Sequence, residues 1–254
     1  MDFNTYLDLI VNDNKHVLIA GCTGSGKSVF LNNVLCYILT IDGSGLILID
    51  PKKVELAPYR NSNHTIMYGD DEETIAHALQ YAVGIMDARF SAMQRQGIRK
   101  STEAPIYIII DELAQFSRTV NPELAKNNTL LSKLATLGRA ANVFLIACTQ
   151  RPTNDVITPL YKINCDCKVA LRTSTKQESR NIIDISDAYD LPDVGYAIIR
   201  HPKHRDPFQV PVDYHTDKEI EEYIKPTLRP SAAVPGKEEK RPKTILGALL
   251  NLIF

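Results

Sequence analysis

The residue types best suited to chemistry lie in a glycine-rich run near the start of the chain, Gly21 to Ser28, which reads GCTGSGKS. An apolar segment precedes the run and an apolar stretch of helical period follows it, so it is predicted to be a strand-to-helix turn. The glycines let several backbone N–H groups point at one anion, and the helix dipole adds to the attraction. In this pattern Lys27 reaches the β- and γ-phosphates of a nucleotide, and the Ser28 hydroxyl completes a Mg²⁺ shell. The predicted nucleotide-contacting residues are Gly21, Cys22, Thr23, Gly24, Ser25, Gly26, Lys27, Ser28 and Val29.

Two acidic residues, Asp111 and Glu112, directly follow the apolar segment 106–110 and form a second candidate group. A carboxylate at the carboxyl end of a strand lies at the edge of a parallel sheet where ligands bind. We expect Asp111 to hold the Mg²⁺ that bridges the phosphates, and Glu112 to orient or deprotonate the attacking water. The alternative is that the acids only cap a following helix, since acids often begin helices.

Two further candidates depend on the segment 143–149 and on what surrounds it. Thr149 or Gln150, at the exit of this predicted strand, can sense a γ-phosphate and transmit its loss, although a simple strand-end turn explains them equally well. Before the strand, Arg139 stands among small residues. It is either an arginine finger that reaches the γ-phosphate of another subunit or a solvated charge at a helix end.

These residues require elements that hold them at one edge of a sheet. Short apolar runs alternate with longer amphipathic ones, the pattern of an α/β fold with a mostly parallel sheet and helices on both faces. Strands are predicted at 16–20, 46–50, 106–110, 143–149, 169–172 and 196–200, with a short one at 65–67. Helices are predicted at 28–39, 71–96, 122–140 and 176–183.

The composition is that of an ordinary globular protein, with 254 residues, 44% hydrophobic and 23% charged. A formal net charge of −1 means that any nucleic-acid binding must come from a local basic surface. The five cysteines lack a zinc-site spacing, which favours free thiols in a reducing compartment. With no signal peptide and no apolar stretch of the roughly 18–20 residues that span a bilayer, we expect a cytoplasmic protein.

The composition changes after about residue 213, which suggests a division into three parts. Residues 1–215 are predicted to be the ATPase domain, and 216–242 a charged, proline-rich linker with a helix-prone stretch at 217–223. Residues 243–254 are apolar and too few to span a membrane. We expect this last segment to pack on the domain or to dock on a protein partner.

Six segments in order resemble the motor domain of the FtsK/SpoIIIE family of DNA translocases, within the group that includes HerA and conjugative coupling proteins. The similarity covers roughly residues 15–200. The segments are HVLIAGCTGSGKS from His16, LIDPKKVEL from Leu48, MDARFSAMQRQGIR from Met86, IIIDELA from Ile108, GRAANVFLIACTQRP from Gly138 and DVITPLYKIN from Asp155.

The resemblance implies a RecA-like P-loop fold that binds ATP and Mg²⁺, and a ring, usually a hexamer, that encircles double-stranded DNA and pulls it. It implies the roles of Lys27, Ser28, Asp111 and Glu112 above, Gln150 as the γ-phosphate sensor and Arg139 as the arginine acting in trans. In the family, loops after the TQRP strand line the pore. The residues then expected to contact DNA phosphates are Arg151, Lys162 and Lys168.

Family members at the division septum carry membrane and winged-helix regions that are not evident in this sequence. The sequence is therefore interpreted as a stand-alone motor of the kind found on plasmids, conjugative elements or phages. Two alternatives stay open: a protein-export or coupling motor with the same ATP site, and an ATP-gated switch in replication or DNA-transfer control. A phosphate-loop kinase is disfavoured, since no arginine-rich lid segment is evident.

Overall fold

The computed structural model describes residues 3–13, 16–192 and 194–229. The strands are β1 (Val17–Ala20), β2 (Gly45–Ile49), β3 (Thr65–Gly69), β4 (Ile106–Ile110), β5 (Val143–Thr149), β6 (Cys167–Ala170), β7 (Tyr196–Arg200) and β8 (Phe208–Pro211). The helices are α1 (Phe3–Val11), α2 (Lys27–Ile38), α3 (Glu72–Gln96), α4 (Pro122–Ala125), α5 (Asn128–Leu137), α6 (Pro159–Asn164), α7 (Lys176–Ile183) and α8 (Asp217–Ile224). Short 3₁₀ turns occupy Ala57–Tyr59, Leu113–Phe116, Gly138–Ala141, Asp187–Tyr189 and Lys225–Thr227.

Within the described ranges, eight strands form one sheet in the order β3-β2-β4-β5-β1-β6-β7-β8. The pairings from β3 to β6 are parallel, and those of β6 with β7 and of β7 with β8 are antiparallel. The prediction of a mostly parallel α/β sheet is confirmed. Strands β1, β2, β4 and β5 are buried along their whole length, which is why they read as unbroken apolar runs in the sequence.

Helices cover both faces of the sheet, and neighbouring strand residues pack into different cores. Leu18 joins the core formed with α3 and α5, while Val17 and Ile19 join the core formed with α1, α2 and α8. Phe30 of α2 is fully buried and stacks on Tyr6 of α1, with ring centroids 6.1 Å apart. This alternation follows from the two-residue period of a strand, which turns successive side chains to opposite faces.

The predicted continuous helix over 122–140 was wrong, because the chain forms α4, α5 and a 3₁₀ turn there. The side-chain amide of Asn128, at the start of α5, donates to the carbonyl of Phe116. A Cβ at Gly138 would lie 2.4 Å from the carbonyl oxygen of Val143, so the chain passes closely under β5 at this point. Strand β8 and helices α1 and α6 were not predicted from the sequence.

The segment predicted as a linker begins with residues that pack on the domain. Ile220 and Ile224 of α8 are buried in the core, and Leu228 forms a β-bridge with Ser62. The Arg229 guanidinium donates to the carbonyl of Thr65 over 2.6 Å. The packed structure thus continues through Arg229. The rest of the predicted linker and the apolar segment 243–254 lie outside the described residues.

Candidate nucleotide site

The candidate site lies where three adjacent strands end. β5 lies between β4 and β1 in the sheet, and all three run parallel. Ala20 pairs with Thr149, so the chain leaves β1 and β5 at the same edge. β4 ends at the same side, directly before Asp111. The glycine-rich run, the two acids and Gln150 therefore emerge at one sheet edge, the usual ligand position in an open α/β sheet.

The run 21–28 adopts a tight backbone curve that only its glycines permit. Gly24 and Gly26 have φ values of 77° and 88°, in the left-handed region that strains residues with a Cβ. A Cβ at Gly21 would lie 2.6 Å from the Ser25 hydroxyl and 2.9 Å from Cβ of Leu171. Gly26 caps α2 without any side-chain hydrogen bond. The first N–H groups of α2 are thus open to an anion, which the helix dipole also attracts.

Lys27 and Asp111 form a buried ion pair across the edge of the sheet. The ammonium lies 2.8 Å from Asp111 Oδ1, and it also donates to the Asp111 carbonyl over 3.3 Å. Burial by itself would lower the pKa of Lys27, but the neighbouring acidic side chains of Cys148, Asp111 and Glu112 outweigh it and raise that pKa. Burial also raises the pKa of Asp111, while the charge of Lys27 opposes this shift. Each group is thus the other's counter-ion.

The predicted Mg²⁺ ligands fit a hard divalent cation. Asp111 Oδ2 is buried and has no hydrogen-bond partner among the described residues, so it is an acceptor left available. The Ser28 hydroxyl donates to Glu55 Oε1 over 2.6 Å, which keeps the lone pairs of its oxygen available for a metal. A carboxylate and a hydroxyl, completed by phosphate oxygens and water, match the oxygen ligands that Mg²⁺ prefers.

Glu112 is buried and accepts hydrogen bonds on both carboxylate oxygens. The Thr149 hydroxyl donates to Oε1 over 2.7 Å, and the Lys52 ammonium donates to Oε2 over 3.1 Å. The amide of Gln150 lies 3.3 Å from Oε1 and 3.2 Å from Oε2. Glu112 also caps the following 3₁₀ turn through the amide of Ala114. The capping role considered from the sequence is therefore present, and it coexists with a position beside the glycine-rich loop.

Gln150 contacts the glycine-rich loop directly. Its side-chain oxygen accepts a hydrogen bond from the Thr23 hydroxyl over 3.1 Å, while its backbone amide holds Glu112 as described. Gln150 thus connects the glycine-rich loop to Glu112, the residue predicted to activate the water. Its role as a γ-phosphate sensor stays a prediction.

Arg139 lies far from this edge, at the opposite end of the sheet. It stands in the 3₁₀ turn that precedes β5, while the glycine-rich loop is near the end of that seven-residue strand. A strand rises about 3.3 Å per residue, so Arg139 is roughly 20 Å from its own site. The guanidinium pairs with Asp166, and both side chains are partly exposed. Any contact of Arg139 with a γ-phosphate must involve another protomer.

The three predicted DNA-contacting residues lie in different environments. Arg151 is exposed on the loop after β5 and lies 3.7 Å from Asp155. Lys162 is half-buried on α6. Lys168 lies within β6 rather than in a loop, with a side chain only 13% exposed and 3.9 Å from Asp184. Lys168 is thus much less exposed than Arg151, and the DNA contacts of all three residues stay a prediction.

The sequence analysis assigned no role to Lys52 or Glu55, yet both reach the site from the loop after β2. Lys52 contacts Glu112, and Glu55 contacts Ser28. Both stand in the segment DPKKVEL, which follows the buried strand β2. The signal that identifies them is a charged run after a fully apolar strand adjacent to β4, since such a run emerges at the same sheet edge.

No helix in the described part of the chain is both long enough and apolar enough to span a bilayer. The model of the FtsK/SpoIIIE family matches residues 1–105. The "DNA translocase FtsK" of Chlorobaculum tepidum is 31% identical over 260 aligned positions, which cover 90% of this chain and 32% of that protein. The "DNA translocase SftA" of Bacillus subtilis is 33% identical, over 82% of this chain and 24% of that protein. The chain thus spans about a third or less of the length of these relatives.

Among solved structures, the pCW3 conjugation coupling protein TcpA, in its monomer form with ATPγS, superposes with a TM-score of 0.73. The identity is 26%, and the match covers 84% of this chain and 65% of that one. The glycine-rich loop, the acids at the end of β4 and the sheet order are thus those of a P-loop ATPase. On its sequence matches, its ordered motifs and its fold, this chain belongs to the FtsK/SpoIIIE family.

Proposed function

We propose that this protein is an ATP-hydrolysing motor that moves double-stranded DNA. The observation that carries the proposal is the meeting of Lys27, Asp111, Glu112 and Gln150 at one sheet edge, beside a loop with open helix N–H groups. The similarity to proteins named DNA translocases supports the choice of duplex DNA as the cargo. The proposed compartment is the cytoplasm.

ATP binding requires the buried ion pair to open. Lys27 leaves Asp111 Oδ1 and donates to the β- and γ-phosphates, while the loop amides and the start of α2 hold the phosphate chain. Asp111 and Ser28 would hold Mg²⁺, which supplies positive charge to offset the phosphates. Mg²⁺ would thus replace Lys27 as the counter-ion of Asp111, and the phosphates would replace Asp111 as the partner of Lys27. The buried carboxylate is compensated in both arrangements.

Hydrolysis needs a group that accepts the proton of the attacking water. Glu112 is the proposed base: water forms a bond to the γ-phosphorus, the bond to the β–γ bridging oxygen breaks, and the proton passes to Glu112. Gln150 lies between Thr23 and Glu112 and is placed to respond to the γ-phosphate. Its response would reach Arg151, the next residue and a proposed DNA contact.

A ring, proposed to be a hexamer, would let Arg139 act on the neighbouring protomer's ATP. Arg139 lies at the end of the sheet opposite the glycine-rich loop. This position is compatible with a role in a neighbouring protomer's site and excludes a contact with ATP in its own site. The proposed DNA contacts are Arg151 and Lys162, with Lys168 the least exposed of the three predicted residues. Such contacts bind phosphates without reading bases, as a motor that moves over any sequence requires.

The test is ATP turnover of the purified chain with and without long linear duplex at low salt, where phosphate contacts are strongest. We expect duplex to raise turnover several-fold. Glu112→Gln should lower turnover by a factor of about 10² or more, the usual contribution of a general base, while ATP binding is retained. Turnover that duplex leaves unchanged would contradict the proposed cargo, and failure to bind ATP would contradict the proposed site.

A second candidate is a coupling ATPase in conjugative transfer or protein export, as encoded by a mobile element. The similarity to the conjugation coupling protein TcpA favours it. Pull-down of a transfer or secretion protein through residues 243–254, together with turnover insensitive to duplex, would favour this candidate over the first.

A further inference from the structure

The contacts of Glu112 include one that is unlike the others. Thr149 is fully buried at the end of β5, and the amides of Gln150 and Ala114 belong to backbone fixed by the strand end and the 3₁₀ turn. The remaining donor is the ammonium of Lys52, carried by a flexible side chain that is 38% exposed. Lys52 is therefore the one donor among these four that is carried by a long, partly exposed side chain.

The loop that carries Lys52 is anchored at both ends. The buried Asp50 accepts a hydrogen bond from the Leu56 amide over 3.0 Å and from the Tyr68 hydroxyl over 3.2 Å. The amide of Lys53 donates to the carbonyl of Asp50, and Leu56 is fully buried. The loop is thus a fixed support from which the Lys52 side chain reaches across to Glu112.

The Lys52 contact occupies the carboxylate oxygen that a water would need. Oε1 already accepts from the Thr149 hydroxyl at 2.7 Å and from two amides. Oε2 accepts from the shared Gln150 amide at 3.2 Å and from Lys52 at 3.1 Å. With Lys52 in place, both oxygens of a nearly buried carboxylate are engaged. The ammonium therefore competes with a water for Oε2 as an acceptor.

We infer that Lys52 is a positioning residue that restrains the ATPase, because its ammonium competes with the attacking water for Glu112 Oε2. This inference rests on the proposed function of Glu112 as the base. It goes further, since it assigns control of basal turnover to the loop after β2. Release consists of a swing of one side chain into solvent.

The test compares three variants at saturating ATP and Mg²⁺ without duplex. Lys52→Met removes the charge and keeps the length, Lys52→Arg keeps the charge, and Lys53→Met is the matched control. Lys53 is the next residue on the same loop, but it faces Asp70 at 3.8 Å instead of Glu112. We expect Lys52→Met to raise kcat about fivefold, the order expected for a partly exposed ion pair. The KM for ATP should change less than about twofold, since the pair does not contact the phosphate loop.

Lys52→Arg and Lys53→Met should keep the low basal kcat, and with saturating duplex Lys52→Met should reach no more than the wild-type rate. A kcat that falls or stays unchanged in Lys52→Met, with melting temperature retained, overturns the inference. If the wild-type protein shows no ATP turnover at all, the proposed function fails instead.

The salt dependence of the wild type and of Lys52→Met offers a second measurement. Salt screens a pair that is partly exposed, so raising the salt from about 50 mM to about 300 mM should weaken the Lys52–Glu112 contact. The ratio of the kcat of Lys52→Met to that of the wild type should then fall toward one. A ratio that stays constant across this range would contradict an electrostatic restraint.

Discussion

Lys27 and Asp111 bind each other where, in our proposal, a nucleotide and a metal ion would otherwise separate them. Their 2.8 Å contact links the start of α2 to the end of β4, and the two side chains are 3% and 1% exposed. The ion pair is therefore a structural element of the protein as well as part of the candidate site.

Removal of one partner should destabilise the nucleotide-free protein more than removal of both charges. Lys27→Met leaves a buried carboxylate without its counter-ion, which costs about 3 kcal/mol in comparable buried pairs. Adding Asp111→Asn should restore part of that loss. Urea unfolding of the two single variants and the double variant measures the coupling. Strict additivity of the two free-energy changes would show that the pair does not contribute as a unit.

Arg139 should act only on a neighbouring protomer's ATP. A Lys27→Ala chain has a defective phosphate loop and an intact Arg139, while an Arg139→Ala chain has the reverse. If the arginine acts in trans within a ring, mixtures of the two chains should hydrolyse ATP faster than either chain alone. The reason is that some subunit interfaces then combine an intact glycine-rich loop with an intact Arg139. The measurement is turnover against mixing ratio. A linear average of the two parent rates would contradict action in trans.

Cys22 and Cys148 should differ in their reaction with a thiol reagent. Cys22 lies in the glycine-rich loop and is partly exposed, whereas burial raises the pKa of Cys148 to about 12. Because only the thiolate reacts, Cys148 should stay unmodified in the folded protein. Bound ATP should protect Cys22, since the phosphates would occupy the loop. Peptide mass spectrometry after alkylation with and without ATP reads both sites. Cys22 labelling that ATP leaves unchanged would place the nucleotide elsewhere.

His16 should make the protein lose stability as the pH falls. Burial, with a further effect of Arg139, lowers the pKa of His16 to about 3 from an ordinary 6.5, so the folded state keeps it neutral while the unfolded state takes up a proton. The unfolded state binds more protons between those values, and stability is lost as the pH falls through that window. At pH 5 this difference in proton binding lowers the free energy of unfolding by about 2 kcal/mol relative to neutral pH.

The matched variant for this test is His16→Asn. Nδ1 of His16 accepts a hydrogen bond from the Leu145 amide over 2.8 Å, and the Asn side-chain oxygen can replace that acceptor without titrating. Urea unfolding between pH 7 and about pH 4 should show a flatter decline for the variant than for the wild type. Parallel declines would assign the acid sensitivity to other groups.

The amino-acid sequence determined the parts of this protein that depend on local pattern. Fully apolar runs predicted the buried parallel strands, because such strands have no solvent face and show no alternation. The glycines at positions 24 and 26 specified a phosphate-type loop, because only glycine adopts the left-handed backbone there without strain. The edge position of Asp111 and Glu112 followed from their place directly after β4.

Only the tertiary structure decided which side chains meet. The chain-local pattern could not show that Lys52 reaches Glu112 across 60 positions, or that Thr23 contacts Gln150 across 127. These contacts depend on β2, β4, β5 and β1 lying in that spatial order, which no local periodicity encodes. The burial of Lys168 was decided in the same way: the sequence indicates a cation, while its exposure and its ion partner depend on the elements packed around it.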